Sequence, residues 1–433
     1  MVQNPSPAAA EPAWSRSKRH YTFALLCAVW LMSLVDRQII AIVLEPIKHE
    51  FQASDTAMGL LTGLVFAGFY VIASVPLGRW SDVGVRRSIV ALILGFWSVM
   101  TCLGSVAQSY FQLALTRIGV AIGEAGTSPA TQSMVADLYP LAQRGRALSI
   151  MSAFGSTGIF FSLFLGGWLS DTVGWRMAFV LVGLPGLLVA VLIRLTVDEP
   201  PRGMSDAVRQ DAAAPPFRAT LAYLWSMKSY RLIVVTVAFG GLVGFGTLGW
   251  APAFFMRVHQ MSATEAGLWF GLSVLFGLIG GNLFVGWLSD RLGKRDIRWY
   301  MRVSGGGALC ATPFGILAAW WPTSLGSVAM FALYLFFLCF HLPPAQAMVQ
   351  TLVRSRMRGM AVTGLVFCQN LVGAGLGPLF IGVLNDVFAA RYGAYATRYS
   401  LSVTLALVVV TGIAGLTANR WLTRDHRRTW QSG

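Results

Sequence analysis

Residues 117–125 (R-I-G-V-A-I-G-E-A) carry the clearest chemistry in the chain, inside an apolar run that begins near Tyr110. Arg117 and Glu124 are seven residues apart, roughly 700° on a helix of 3.6 residues per turn. Both therefore project from nearly one face, about 10 Å apart along the axis. Gly119, Ala121 and Gly123 between them leave room for a second helix to approach. A second pair, Asp36 and Arg37, interrupts another apolar run. A charge at hydrocarbon depth costs about 2.5–3.5 kcal/mol on insertion scales and is kept where it meets a partner, a wet cavity or a substrate. A carboxylate in such a place exchanges its proton according to whether a guanidinium stands beside it. A guanidinium stays charged and presents a planar fork to a carboxylate or phosphate. These residues support proton exchange at Glu124 and Asp36, and recognition of an anionic head group by Arg117 and Arg37. A structural ion pair that locks helices together is the other use of the same residue types.

The elements that must position them are membrane spans. Of 433 residues, 55% are hydrophobic and only 12% charged, against about 25% charged in soluble domains. The mean hydropathy is +0.63. Twelve segments are long enough to cross a bilayer, at about 21–44, 57–78, 88–108, 110–136, 147–169, 177–197, 231–254, 263–288, 300–320, 326–350, 360–384 and 399–421. This divides the chain into a tail (1–20), a six-helix unit (21–197), a Pro-containing linker (198–230) with one interfacial helix near 217–225, a second six-helix unit (231–421) and a closing tail (422–433). The net charge of +15 is not a nucleic-acid surface, because the basic residues sit between apolar runs. Twenty-six of the 33 Lys and Arg fall on the side of the N-terminus, five on the other side, and Arg37 and Arg117 lie within spans. The positive-inside rule then places both termini in the cytoplasm. The basic tail and first apolar helix lack a small-residue cleavage site, which predicts a retained first span. Cys27, Cys102, Cys310, Cys339 and Cys368 all lie in apolar runs without metal-ligand spacing, so packing is their role.

The halves repeat. Gly78 to Arg87 (G-R-W-S-D-V-G-V-R-R) follows the second span, and Gly286 to Arg295 (G-W-L-S-D-R-L-G-K-R) follows the eighth, 208 residues later. Arg144-Gly-Arg146 before span 5 is matched by Arg356-Met-Arg358 before span 11. The second copy of the ten-residue motif matches throughout the signature G-x-L-x-D-R-x-G-[KR]-R, which resembles the major facilitator superfamily. The first copy departs at Val83 and Val85. That resemblance implies twelve helices in two six-helix bundles, an all-α polytopic fold, with substrate bound between the halves. It also implies a cytoplasmic gate, in which Asp82 faces the start of span 11, Asp290 faces the start of span 5, and Arg86 or Arg87 pairs with Asp137. Arg291 and Arg295 complete the second copy. A narrower likeness covers V-D-R-Q (35–38), L-T-R with a following E-A (115–125), V-A-D-L-Y (135–139) and W-A-P-A-F (250–254). These pieces resemble the spinster-like branch, associated with lysophospholipids, sphingosine phosphate and proton coupling.

The second half supplies Asn282, His341, Gln346, Gln350, Gln369 and Asn370, but no carboxylate or guanidinium deep in a span. A cavity charged on one wall and mostly apolar on the other suits an amphipathic substrate. Trp250, Phe254, Phe255 and Trp269 are candidates for a tail pocket or for interface anchors. The expectation is a proton-coupled secondary transporter of a lysolipid-like anion or zwitterion, acting by alternating access as a monomer in the inner membrane of a bacterium. A carrier of small organic anions, such as sugar acids or aromatic acids, is the alternative. Protons, membrane lipid and the substrate are its partners; no cofactor, metal or nucleic acid is expected. No protease, nucleophile-elbow or phosphate-loop motif supports an enzyme.

Overall fold

The computed structural model describes residues 14–204, 217–354 and 357–431, and among them there is no strand. Ten uninterrupted helical stretches are long and apolar enough to cross a membrane. The last of them, 358–426, holds two spans that part near Gly393, and a further span is broken in the middle. The twelve spans are Arg16–Ile42 (span 1), Asp55–Val83 (2), Arg86–Gly104 (3), Tyr110–Ala125 with Thr127–Leu138 (4), Leu141–Val173 (5) and Trp175–Thr196 (6). They continue with Lys228–His259 (7), Ala263–Gly293 (8), Trp299–Trp320 (9), Ser324–Leu352 (10), 358–392 (11) and 396–431 (12).

Several boundaries differ from the sequence expectation. Span 1 stops at Ile42, and Leu44–Phe51 forms a separate short helix closed by Gln52 in the left-handed region, φ 49°. Span 4 breaks at Gly126, and Pro129 falls in the first turn of the second piece, where its missing N–H is not needed. Most of the expected closing tail is the helical continuation of span 12. The helix in the linker is present at Phe217–Ser226. Wide π-turns interrupt span 2 at Leu61–Val65, span 8 at Phe276–Gly280 and span 11 at Gln369–Leu376. Such turns push side chains out of the regular helical register, commonly at working sites.

The termini and the linker share one face, the terminal face: Lys18 pairs with Asp198, and Ser229 donates to Asp425 at 2.7 Å. Toward the opposite, far face, one hydrophobic cluster passes from half to half, joining Ile39, Leu61 and Leu163 to Val243, Ala266 and Phe270. Toward the terminal face the clusters stay within a half, around Leu26, Val90 and Met134 in one and Tyr230, Met301 and Met348 in the other. Close approach has the same polarity. A Cβ on Gly167 would overlap the backbone of Ala263, and one on Gly267 would overlap the backbone of Leu163. A Cβ on Gly145 or Gly286, near the terminal ends of the same two spans, would meet nothing within 4 Å beyond its own helix. The halves therefore touch at the far face and part at the terminal face.

Gly167→Val should wedge spans 5 and 8 apart, whereas Gly286→Val should leave this arrangement undisturbed. With Thr62→Cys as a reporter in the cleft, the first change raises labelling from the far face and the second leaves it at the starting level. Equal far-face labelling in the two variants would contradict this account of the crossing.

Candidate functional site

Spans 1 and 4 bring the four intramembrane charges together as two crossed pairs. Arg117 Nη1 donates to Asp36 Oδ1 at 2.9 Å, and the Thr101 hydroxyl of span 3 donates to Asp36 Oδ2. Arg37 binds Glu124 Oε2 twice, from Nη2 at 2.8 Å and from Nε at 3.2 Å. Glu124 thus meets Arg37 of span 1, not Arg117 two turns away on its own helix. The physical reason is reach. Adjacent residues on span 1 differ by about 100°, so Asp36 and Arg37 address different levels of span 4.

The two pairs also differ in surroundings. Arg117, Asp36 and Glu124 are 2%, 3% and 1% exposed. Arg37 keeps a quarter of its side chain accessible and lines a narrow cleft between the halves, with Phe66 and Tyr70 of span 2, Phe245 of span 7 and Asn370 of span 11. Its guanidinium stands 5.1 Å from the Phe66 ring centre and 5.0 Å from that of Tyr70, within cation–π range. Both Asp36 oxygens are bonded, while Glu124 Oε1 has no donor among the described residues. Arg37, and not Arg117, is therefore the guanidinium a solute in the cleft can reach.

Across Phe245 the second half holds an apolar pocket of about 160 Å³, walled by Gly240, Gly241, Gly244, Leu335 and Leu338. Asn282, His341 and Gln369 are its polar members. The His341 Nδ1 lies 2.7 Å from the Leu338 carbonyl, so that nitrogen carries the hydrogen. Trp250, Phe254 and Phe255 line neither pocket nor interface. All three are fully buried, the two phenylalanines packing with Phe270 and Phe331, because the far-face seal needs bulk there.

Among the terminal-face candidates, Arg86 is fully buried. It donates to Asp137, to Ser133 Oγ at 2.8 Å, to Glu199 Oε1 at 2.7 Å and to the Pro200 carbonyl at 2.6 Å. Arg87 instead takes the Val197 carbonyl at 3.0 Å, and its backbone N–H donates to Glu199 at 2.7 Å. This clasp ties span 3 to span 4 and to the start of the linker, within one half. Asp82 and Asp290 are exposed and make no hydrogen bond or ion pair with spans 11 and 5 among the described residues. Arg291 lies 5.5 Å from the Trp287 ring, and Arg295 is exposed.

The acids that do cross between halves lie at the far face. Asp386, ending span 11, accepts from the first backbone N–H groups of span 2, Asp55 at 3.0 Å and Thr56 at 2.8 Å. Asp171, ending span 5, accepts from the Thr264 N–H at 2.7 Å and hydroxyl at 2.6 Å, at the start of span 8. Each carboxylate thus sits at the positive end of a helix of the opposite half. Arg257 of span 7 adds a half-buried fork to Asp55, 2.9 and 2.5 Å, and reaches Glu45 at 2.6 Å. Beside the start of span 6, burial pushes the Glu50 carboxyl up, but hydrogen bonds from Arg176 and Trp175 outweigh this and hold it below the ordinary range. Sequence reasoning missed these acids, although G-W-L-S-D (167–171) repeats the wording of 286–290 and offered the signal.

The profile described as Major Facilitator Superfamily matches residues 25–378. An "MFS-type efflux pump" of Mycolicibacterium smegmatis is 34% identical, over 90% of this chain and 89% of that protein. A "Probable L-galactonate transporter" of Escherichia coli is 24% identical, over 95% and 91%. A solved structure of a bacterial homolog to the human lysosomal transporter Spinster, inward-facing and unoccupied, superposes with a TM-score of 0.87 at 28% identity, covering 95% of this chain and 99% of that one.

Removing one member of a buried ion pair typically costs about 3–5 kcal/mol, whereas removing both costs far less. Arg117→Met should therefore lower the unfolding temperature in detergent more than Asp36→Asn combined with Arg117→Met does. If the double variant unfolds below the single one, the pair is not the structural unit described here. With its two bundles, crossed charges and inter-half acids, the chain belongs to the major facilitator superfamily, as a spinster-like secondary transporter and an integral multi-pass membrane protein.

Proposed function

We propose that the protein is a proton-coupled carrier of an amphipathic substrate with an anionic head, of the lysophospholipid or sphingosine-phosphate class. The observation that carries this reading is the shared guanidinium. Arg37 is the accessible cation of the cleft, and it is held by a carboxylate whose other oxygen is unpartnered. An anion arriving at Arg37 competes with Glu124. Protonation of Glu124 frees the guanidinium and favours anion binding, and by linkage the bound anion favours the proton. Asp36, with both oxygens bonded, and Arg117 anchor span 1 to span 4 and keep the quartet neutral. The apolar pocket beyond Phe245 supplies room for a tail, which favours a lipid-like substrate over a sugar acid. The galactonate transporter relative supports the second reading, a small organic anion held by the same Arg37.

The alternating bodies are residues 21–197 and 231–421, joined by the linker 198–230. The excess of Lys and Arg on the terminal side, twenty-six in the sequence count, supports a cytoplasmic location of that face and of both termini, in the inner membrane of a bacterium with the monomer as working unit. The present arrangement is then inward-facing. Asp82 and Asp290 are the acids that cap spans 11 and 5 when the terminal face closes, in place of Asp386 and Asp171, and Arg86, Arg87 and Asp137 brace the loop that carries Asp82.

Glu124→Gln mimics the protonated carboxyl. In wild-type protein, binding of an anionic lysolipid should tighten as pH falls. In Glu124→Gln it should be pH-independent and at least as tight, with proton-driven uptake abolished and substrate exchange retained. Arg37→Lys should bind anionic and uncharged lysolipids alike. Unchanged pH dependence in Glu124→Gln, read by thermal shift, would remove Glu124 from coupling. Stabilisation by galactonate but not by lysolipids would select the small-anion reading.

A further inference from the structure

The terminal face of the first half carries a cavity that the transport cycle above does not use. It measures about 490 Å³ and lies between the start of span 1, the end of span 4 and the start of span 5. Arg16, Arg19, His20 and Arg146 line it, over a floor that includes Phe23 and Tyr139, and no carboxylate is among its lining residues. Arg19 lies 5.4 Å from the centre of the Tyr139 ring, and Phe23 meets the same ring edge-on at 5.2 Å. The Arg19 Nε is buried with no acceptor among the described residues.

Among the described residues, these cations have no acid partner. Of the described acids at this end of the half, Asp198 is taken by Lys18, Asp137 by Arg86, and Glu199 by Arg86 and Arg87. Asp82 is exposed and makes no ion pair among the described residues, and it is not in the cavity lining. Three guanidiniums around one cavity, one of them within cation–π range of an aromatic ring, present several N–H forks to a single tetrahedral anion. Their height fits a membrane source. Span 1 has 27 residues, roughly 40 Å of helix, against a hydrocarbon core of about 30 Å, so its first turns reach the level of lipid head groups.

We propose that this cavity binds the phosphate head group of an anionic membrane phospholipid, with Arg16, Arg19 and Arg146 as ligands to the phosphate and the Tyr139–Phe23 floor under the glycerol. Bound phosphate places negative charge beside the start of span 5, where Asp290 docks in the closed terminal face. An anionic lipid therefore holds the protein in the present, open arrangement.

The full chain, purified in detergent, is titrated with phosphatidylglycerol, with phosphatidylcholine of the same chains, and with inorganic phosphate. Thermal unfolding and native mass spectrometry read the binding. Phosphatidylglycerol should raise the unfolding temperature and leave one retained lipid, with phosphatidylcholine and millimolar phosphate much weaker. Arg16→Gln with Arg146→Gln, both at exposed positions, should weaken phosphatidylglycerol at least tenfold while the lipid-free unfolding temperature stays the same. Arg19→Lys, which keeps the charge, should lose most of the effect as well, because the planar guanidinium fork is gone. Equal stabilisation by the two lipids, or full binding by the double variant, overturns the site. Inorganic phosphate matching phosphatidylglycerol assigns it to a soluble anion and overturns the lipid assignment.

Discussion

A charge inside a bundle of hydrocarbon thickness has to be answered by another, and this single constraint organises the first half of the protein. Spans 1 and 4 each carry one acid and one base, and the bases are answered across the helix pair, Arg117 by Asp36 and Arg37 by Glu124. The quartet is neutral as it stands. Adding one proton to it, or one anion beside it, leaves a charge uncompensated, and the two additions cancel each other. In the proposed cycle that is the electrostatic root of coupling, and it needs no carboxylate or guanidinium from the second half. The small residues of span 4 belong to the same constraint. A Cβ on Gly123 would meet Trp97 of span 3, and one on Gly119 would meet Met100, so the glycines let span 3 close over the pairs and bring Thr101 to Asp36.

The same economy of charge governs the seal between the halves. A carboxylate at the first turn of a helix satisfies N–H groups that have no partner within that helix, and it meets the positive end of the helix dipole. Asp386 and Asp171 do this at the far face, one from each half and each to the other. Asp82 and Asp290 occupy the corresponding ends of spans 2 and 8 at the terminal face, where they are exposed. Four helices thus end in an acid of similar local wording, W-S-D, W-L-S-D, W-L-S-D and V-L-N-D. Two of the four acids are engaged in this arrangement. The glycines follow the same rule, buried against backbone at the far crossing and open at the terminal one.

Much of this was legible in residue types and spacing. Twelve apolar runs and the repeated loop motif fix the bundles, because a bilayer leaves helices few alternatives. The four deep charges announce themselves by their cost. Their pairing did not, since spacing along span 4 says which residues share a face but not which neighbouring helix supplies the partner. The one helix that sequence can see puts Arg117 and Glu124 on a shared face, and tertiary packing gives each a partner from span 1. Nothing near Arg257 in the sequence signals its link to Asp55 and Glu45, which spans some two hundred residues. Glu199 looked like a linker acid, and only the fold brings it to Arg86.

The division of labour between the halves follows from these placements. The first half holds the charges, and the second presents Phe245, a run of glycines and a wall of leucines, with His341 turned so that Nδ1 is spent on its own backbone. On span 11, Gln369 and Asn370 are neighbours in a π-turn, yet Gln369 lines the apolar pocket and Asn370 the cleft of Arg37. Phe245 lines both cavities and stands as the partition between them. A substrate spanning that partition would touch a charged wall with one end and an apolar wall with the other. Rocking one half against the other would then pull on both ends at once, which gives an amphipathic molecule a hold on the cycle that a compact polar one lacks.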